Sequence, residues 1–435
     1  MKSFYSLVSE YNSLPSGNVY LKFINDKTYT YYQWSENGKK KTKYISSAEC
    51  LDLEAKIKRR EELSVEIKKQ LKLNNRNIVL SNAARSYTGY LMMGDKVVAE
   101  FNNGELISFK ENLLPLIVKR THSLSAFLKT RVIDTSRTNA RLLKKAMNIH
   151  EETDEFLSLC SYAASLTDNY WFKPKKSKLK YKDVSFDSDI YFDVALKGIM
   201  SFYPRKISPS PELTTGGSYE KGWRKIGEEW WLYKVGTDNE KFSEMFYSTL
   251  FEELGLPTAH YELDGEYIKT KNFVKEVNYE PMVSIMGDDD SYEHVFNILL
   301  TLNKNIARQY MVLIYYDVLL CNIDRHNENY GLIRDRKTGE IISLAPNFDD
   351  NLCLISRSTK LDSSNKEGLL TYFIKFLRSN LNAKQLLKEA NLDVIDDSLL
   401  DRCFKRISIK VDEESIKTFI LSRYKYINDE LFKYI

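Results

Sequence analysis

Residues 322 to 329 read Asn322-Ile323-Asp324-Arg325-His326-Asn327-Glu328-Asn329, and a second segment, Ala345-Pro346-Asn347-Phe348-Asp349, follows closely. An aspartate, four intervening residues and an asparagine outline a phosphoryl-transfer loop, in which the carboxylate accepts a hydroxyl proton and the carboxamide holds Mg²⁺. Such a site needs a further metal-binding carboxylate after a hairpin, and Asp349 has that position. Tyr330-Gly331-Leu332-Ile333-Arg334 is apolar enough for a strand, Asp335 to Glu340 carries turn residues, and Ile341-Ile342-Ser343-Leu344 returns as a second strand. Legs of similar length bring Asn329 and Asp349 together. Two protein oxygens suit Mg²⁺, which takes its other ligands from water and nucleotide phosphates, so ATP is the expected partner. The bland alternative is a polar turn, because Asp, Asn and His side chains bond their local backbone. The hairpin, the apolar segment ahead of the loop and the second Asp weigh against it.

The rest of a nucleotide site is expected upstream. Thr214-Thr215-Gly216-Gly217-Ser218-Tyr219-Glu220-Lys221 leads into a strand ending at Ile226, a turn at Gly227-Glu228, and a strand Glu229 to Val235. Alternation puts Trp230, Leu232 and Lys234 on one face, so Lys234 is an ammonium on an apolar strip and calls for an anionic partner. Gly-Gly alone marks turns generally; ahead of such a lysine, the loop from Thr214 through Gly216 and Gly217 to Ser218 reads as a cover for phosphates. Asn239 to Leu254 has helical apolar spacing, stopped by Gly255 and Pro257, and Glu244 within it is the carboxylate expected to pair with Lys234. Glu240, Glu252 and Glu253 compete for that role. Tyr267-Ile268-Lys269 reads as a strand and Thr270-Lys271-Asn272-Phe273 as the hinge beside the adenine. In this scheme Asp324 accepts or orients the hydroxyl proton, Asn329 and Asp349 hold Mg²⁺, and Lys234 neutralises phosphate charge. His326 orients the loop, a direct catalytic part being its lesser alternative.

These segments, with Tyr90-Leu91-Met92-Met93-Gly94-Asp95, Arg137-Thr138-Asn139-Ala140-Arg141 and Ser165-Leu166-Thr167-Asp168-Asn169-Tyr170-Trp171, occur in an order that resembles the HipA-type serine/threonine kinases, toxin components of bacterial toxin-antitoxin pairs. The resemblance spans roughly residues 80 to 435. It implies an α+β, two-lobed protein-kinase-like fold, ATP- and Mg²⁺-dependent phosphorylation of a protein hydroxyl (an aminoacyl-tRNA synthetase in known cases), and a separately encoded antitoxin partner. It also implies self-phosphorylation in the glycine-rich loop, where Thr214 stands in place of the family's Ser. The Asp-Arg-His-x-x-Asn string at Asp324 to Asn329 also fits phosphoinositide kinases, so a lipid or small-molecule acceptor stays open, as does a non-catalytic nucleotide- and DNA-binding regulator.

Composition agrees with a globular protein. The chain has 435 residues, 43% hydrophobic and 13% aromatic, enough for two or three cores, and is neither disordered nor fibrous. Met1 to Glu10 lacks a signal-peptide core, and the longest apolar stretch, Tyr310 to Cys321, is broken by Asp317 and too short to cross a bilayer, so it reads as the helix entering the loop. Cys50, Cys160, Cys321, Cys353 and Cys403 are odd in number and lack metal-type spacing, which suits a reducing cytoplasm.

Three domains are expected: residues 1–75, an amino-terminal lobe over 76–280 and a helical lobe over 281–435. The first, outside the family resemblance, reads as three strands (Asn18 to Ile24, Thr28 to Trp34, Lys41 to Ser46) turned at Asn25-Asp26 and Asn37-Gly38. Ser46 and Glu49 then form a capping box for a helix to about Lys72. Its interleaved Tyr, Trp and Lys residues allow a weak nucleic-acid contact, against the plainer reading of a solvated basic face, which the net charge of only +4 favours. In the third domain Asp288-Asp289-Asp290 marks a polar loop, Ser291 a helix cap, and the sequence after Asp349 is helical to the end.

Overall fold

The computed structural model describes residues 4–36, 39–73, 80–150, 153–200, 209–287, 289–356, 361 and 368–432. Its architecture is mixed: the described residues form fourteen strands in four antiparallel sheets, with helices packed around them.

The first sheet is β1 (Asn18–Ile24), β2 (Lys27–Glu36) and β3 (Lys39–Tyr44). Asn25 and Asp26 both take left-handed φ, which a two-residue hairpin turn requires. The expected turn at Asn37-Gly38 lies outside the described residues, as does Asp288. The third strand starts and ends earlier than the sequence suggests, because Ile45 is buried and Ser46 caps the helix Ser47–Leu73. The Ser46 N–H donates to the Glu49 carboxylate at 2.8 Å and the Glu49 N–H donates back to the Ser46 hydroxyl at 3.3 Å. Registers Tyr20↔Tyr31 and Tyr31↔Tyr44 align three tyrosines across one face of this sheet.

A second sheet, in the order β6 (Glu105–Phe109), β5 (Lys96–Asn102), β4 (Gly89–Met93), β7 (Tyr170–Pro174), carries an apolar layer of Leu91, Val98, Phe101, Phe127 and Phe172. The third runs β10 (Tyr261–Asp264), β11 (Tyr267–Lys271), β9 (Glu229–Lys234), β8 (Lys221–Ile226). Gly227 supplies the left-handed residue of the β8–β9 turn. A Cβ on Gly222 would press on Phe192 and Leu196, so glycine there lets β8 lie directly on the helix Phe192–Lys197.

The fourth sheet joins β12 (Val277–Pro281) to the hairpin β13 (Gly331–Asp335) and β14 (Ile341–Leu344). The sequence-based boundary at 280/281 falls inside β12, a strand that no alternation pattern announces because its Asn278, Tyr279 and Glu280 are all buried. Glu280 receives the Arg334 guanidinium and the Leu116 N–H, and Arg334 also donates to the carbonyls of Leu114 and Asn112, at 2.8 Å each. Those bonds hold the segment before the helix Leu116–Thr121 onto the fourth sheet. A Cβ on Gly331 would collide with the backbone of Glu280 and Pro281. Gly331→Ala is therefore expected to cost about 1–3 kcal/mol through overpacking, read as a lower urea midpoint at unchanged slope.

The main core is helical, built from the helices Asp238–Glu253, Tyr292–Leu302, Lys304–Leu319, Gly368–Ser379, Leu381–Glu389, Asp397–Lys405 and Glu413–Phe432. Ser291 does cap the second of these. Lys304–Leu319 begins at Asn303, whose side chain accepts from the N–H groups of Asn305 and Ile306, and is buried along nearly its whole length. Among the described residues no helix is long and apolar enough to cross a membrane.

Candidate active site

The helix Lys304–Leu319 is followed by Cys321 in the left-handed region, and the Asn322 N–H returns to the Asp317 carbonyl at 2.7 Å. The chain so reversed enters the loop 322–329. Its organiser is Arg325, whose side chain is 5% exposed. Its Nε and Nη2 donate to the two oxygens of Asp317 at 2.9 and 3.0 Å, and Nη1 reaches the carbonyls of Asn329 at 2.7 Å and Phe348 at 3.0 Å. Nη2 also meets Asn347 at 2.8 Å and the Asp350 carboxylate. One guanidinium therefore bonds the main chain of both candidate metal-binding segments, at Asn329 and at Phe348, the residue before Asp349. Asn322 and Asn347 bond Asp350 as well, and burial pushes the Asp350 carboxyl up to about 7 in spite of Arg325.

Within the loop, the Asn329 Nδ2 donates to the Asp324 carbonyl at 2.9 Å, which orients the amide and leaves its Oδ1 without a hydrogen bond among the described residues. The Asp324 carboxylate is half-buried and has neither a hydrogen bond nor an ion pair among the described residues. His326 Nδ1 accepts the Glu328 N–H at 3.3 Å, a bond internal to the loop. Asn327 ties the loop to the carbonyls of Gly287 and Asp289, at 3.2 and 3.1 Å.

Lys234, at the end of β9, lies between two carboxylates. Its Nζ is 2.6 Å from Glu244 and 2.6 Å from Asp349. Burial works against the ammonium, but the two carboxylates outweigh it and hold the lysine well above its ordinary pKa. Asp349 is driven the other way: burial would raise its carboxyl, yet Lys234 and Lys221 hold it far below the usual carboxylate range. Asp349 has a left-handed φ of 63°, and its N–H donates to the Tyr261 hydroxyl at 3.2 Å. Glu244 is fully buried on the helix Asp238–Glu253, while its sequence competitors are engaged elsewhere. Glu240 caps its own helix through Thr237, and Glu252 and Glu253 pair with Arg402 and Arg406.

A divalent cation fits this donor set. Asn329 Oδ1 and the second oxygen of Asp349 are hard oxygens without hydrogen-bond partners among the described residues.

The covering loop departs from the sequence expectation. Ser210 and Pro211 start a short 3₁₀ turn, Pro211–Thr214, so Thr214 is buried with its hydroxyl on the Pro211 carbonyl at 3.3 Å. Thr215 is likewise engaged, accepting from Trp223 Nε1 at 2.8 Å. Gly216, Gly217 and Ser218 are the exposed part. The hinge also begins later: Thr270 and Lys271 belong to β11, opposite Leu232 and Trp231, so residues 272–276 make the connection to β12. The Asn272 side chain bonds the Leu166 carbonyl at 2.9 Å and the Val274 N–H at 3.0 Å, and Phe273 packs with Tyr279 and Phe348. A groove of about 970 Å³ lies elsewhere, between residues 110–119 and 337–341, and touches none of these residues.

Sequence reasoning missed Lys221, Asp317, Tyr261 and Asp350. Lys221 opens β8 directly opposite Lys234, and burial pulls its ammonium down to about 8 against the pull of Asp349.

No family model matches the chain, and no curated protein matches it. Among solved structures it is similar to the Helicobacter pylori proinflammatory kinase CtkA, at 17% identity and a TM-score of 0.37, over 50% of this chain and 92% of that one. It is also similar to HipA of Shewanella oneidensis MR-1, solved with HipB and operator DNA, at 14% identity and a TM-score of 0.46, over 78% of this chain and 97% of that one. The chemistry of the site rests on its own geometry.

Proposed function

We propose that this chain is an ATP- and Mg²⁺-dependent phosphotransferase with a two-lobed protein-kinase-like arrangement, acting on a serine or threonine hydroxyl of a protein. The observation that carries the reading is Lys234 seated 2.6 Å from both Glu244 and Asp349, with Asp349 joined through Arg325 to the loop of Asp324 and Asn329. An ammonium, two hard oxygens and an unengaged carboxylate are what transfer of a phosphoryl group between oxygens demands. Asn329 and Asp349 would hold the Mg²⁺, which neutralises phosphate charge when bound. Lys234 would bind phosphate oxygens while Glu244 keeps it charged and aimed. Asp324 would orient the acceptor hydroxyl and take its proton, and His326 would stiffen the loop. Gly216, Gly217 and Ser218 would cover the phosphates, and the 272–276 connection would flank the base. A binding protein without turnover needs no partner-free carboxylate such as Asp324, which favours catalysis over a silent nucleotide pocket.

For self-modification, Ser218 is the exposed hydroxyl of the loop, whereas Thr214 is buried. Incubation with ATP and Mg²⁺ followed by intact-mass analysis tests the proposal. A phosphate gained on the chain or on added protein, and absent in Asp324→Ala, supports it; turnover of phosphoinositide alone redirects it to a lipid acceptor.

A separate reading attaches to the amino-terminal sheet. Tyr20, Tyr29, Tyr31 and Tyr44 share a face with Lys22, Lys27 and Lys40, that face carries no carboxylate, and Tyr44 is 56% exposed. Aromatic rings beside ammonium groups fit single-stranded nucleic acid, by stacking and phosphate contact. The full-length chain is expected to retain a labelled single-stranded oligonucleotide at about 50 mM salt and to release it by about 200 mM. Retention unchanged in a Tyr31→Ala/Tyr44→Ala double variant removes this reading.

A further inference from the structure

Asp349 reaches its place through a backbone conformation that its neighbours must hold. Its φ of 63° lies in the left-handed region, which costs free energy for a residue carrying a Cβ. The main chain ahead of it is fastened to the segment before β10: the Asn347 N–H donates to the Pro257 carbonyl at 3.0 Å, and the Ala259 N–H donates to the Asn347 carbonyl at 2.8 Å. At Asp349 that main-chain pairing has ended, and its N–H goes to the Tyr261 hydroxyl at 3.2 Å. One side-chain oxygen therefore stands where a strand partner would otherwise be.

Tyr261 is placed to hold more than that one group. It opens β10 and is 6% exposed; its register partner on β11 is Thr270, which pairs in turn with Leu232 on β9. Residues opposite one another, and residues two apart on a strand, point to the same side of a sheet, so Tyr261 shares the face of Leu232 and Lys234. The Lys234 Nζ lies 5.6 Å from the centroid of its ring. Because the hydroxyl oxygen accepts from Asp349, its proton is left to donate, and it makes a side-chain hydrogen bond with Glu244. The start of β10 is anchored independently of that hydroxyl, since Ser248 on the helix Asp238–Glu253 donates to the Ala259 carbonyl at 2.7 Å.

We propose that Tyr261 is a positioning residue of this site: by accepting the Asp349 N–H and donating to Glu244, its hydroxyl holds the Asp349 carboxylate at the angle a divalent cation needs and joins it to the Lys234–Glu244 pair. The proposal rests on the phosphotransferase reading above and adds the residue that sets the geometry of its metal-binding acid. Without the hydroxyl the turn at Asp349 is free to relax out of the left-handed region. A cation then meets a carboxylate that has to be reoriented on binding, while Asp324 and the acceptor it would orient are untouched.

Tyr261→Phe keeps the ring and removes one oxygen. Tyr170→Phe removes another buried hydroxyl, which donates to the Leu113 carbonyl at 3.0 Å in the second sheet, and so controls for lost stability alone. Two quantities are measured on the full chain of each: hydrogen exchange of the Asp349 amide by NMR with no metal or nucleotide added, and the Mg²⁺ concentration that half-saturates phosphoryl transfer at saturating ATP. A lost hydrogen bond corresponds to about 10-fold. In Tyr261→Phe the Asp349 amide should exchange about 10-fold faster and the half-saturating Mg²⁺ should rise about 10-fold, with a smaller change in kcat at saturating Mg²⁺; Tyr170→Phe should match the wild type in both. An Asp349 amide as protected in Tyr261→Phe as in the wild type, an unchanged Mg²⁺ requirement, or an equal rise in both variants overturns the proposal. A wild type that transfers no phosphate with ATP and Mg²⁺ fails at an earlier point, because it removes the phosphotransferase reading itself.

Discussion

Asp324→Asn is expected to lower phosphoryl transfer by about 10²- to 10⁴-fold, the usual worth of a positioned proton acceptor, and to leave the fold intact. The two halves of this expectation have separate structural causes. The Asp324 carboxylate has no bond among the described residues, so the change orphans no partner there. What the loop takes from residue 324 is its backbone: the carbonyl receives Asn329 Nδ2, and the N–H donates to Asn322 Oδ1 at 3.2 Å. Asparagine keeps both. The stability change should therefore stay within about 0.5 kcal/mol, as for a surface substitution. Intact-mass kinetics and urea denaturation on the same sample check the pair of outcomes. A variant that transfers phosphate at the wild-type rate would exclude Asp324 from the chemistry.

The second large effect is on stability. Arg325→Met removes the counter-charge of two carboxylates that are 0% exposed, Asp317 and Asp350, together with the donors to two backbone carbonyls. Breaking a buried pair from one side costs about 3–5 kcal/mol, which for a domain of ordinary stability is most of what it has. Arg325→Lys should recover little, because a single ammonium cannot span acceptors that a planar fork reaches in several directions. Acidity supplies a signature. Burial already holds the Asp350 carboxyl at about 7 beside the guanidinium, so without it the folded state favours the protonated acid still more. A carboxyl raised above its unfolded value contributes stability that is complete at about pH 4 or below and is lost as pH rises through its folded value. The deficit of Arg325→Met against wild type should therefore be smallest near pH 4 and widest above pH 7. A deficit independent of pH would mean that the lost carbonyl bonds, rather than the stranded carboxylates, account for the cost.

Local rules made much of this architecture readable. Gly227-Glu228 between two β-prone runs, the Ser46/Glu49 box and the turn between Arg334 and Ile341 are short-range patterns whose physics is complete within a few residues. Lys234 was noticeable because its own strand is apolar, and the structure places it against Glu244 and Asp349. Lys221 gave no such sign, since it follows a tyrosine and a glutamate and precedes a glycine; its burial comes from the Gly217 fold-back and from pairing with β9. Asp317 looked like an interruption of an apolar helix, when it is the acceptor for an arginine eight residues on. The sequence places Thr214 in the loop because the 3₁₀ turn set by Ser210 and Pro211 has no pattern of its own. The role of β12 depended on a partner strand some fifty residues away, which a linear scan does not supply.

The Arg325 fork has one further consequence, for the thermodynamics of ligand capture. Because the same side chain grips Asn329 and Phe348 through their main-chain oxygens, the loss of freedom in both loops occurs when the chain folds. On the proposed reading, a nucleotide would meet ligands whose spacing is already set, so little of its interaction energy would be diverted into ordering them. Conformational adjustment on binding would then be left to the exposed glycines at 216 and 217.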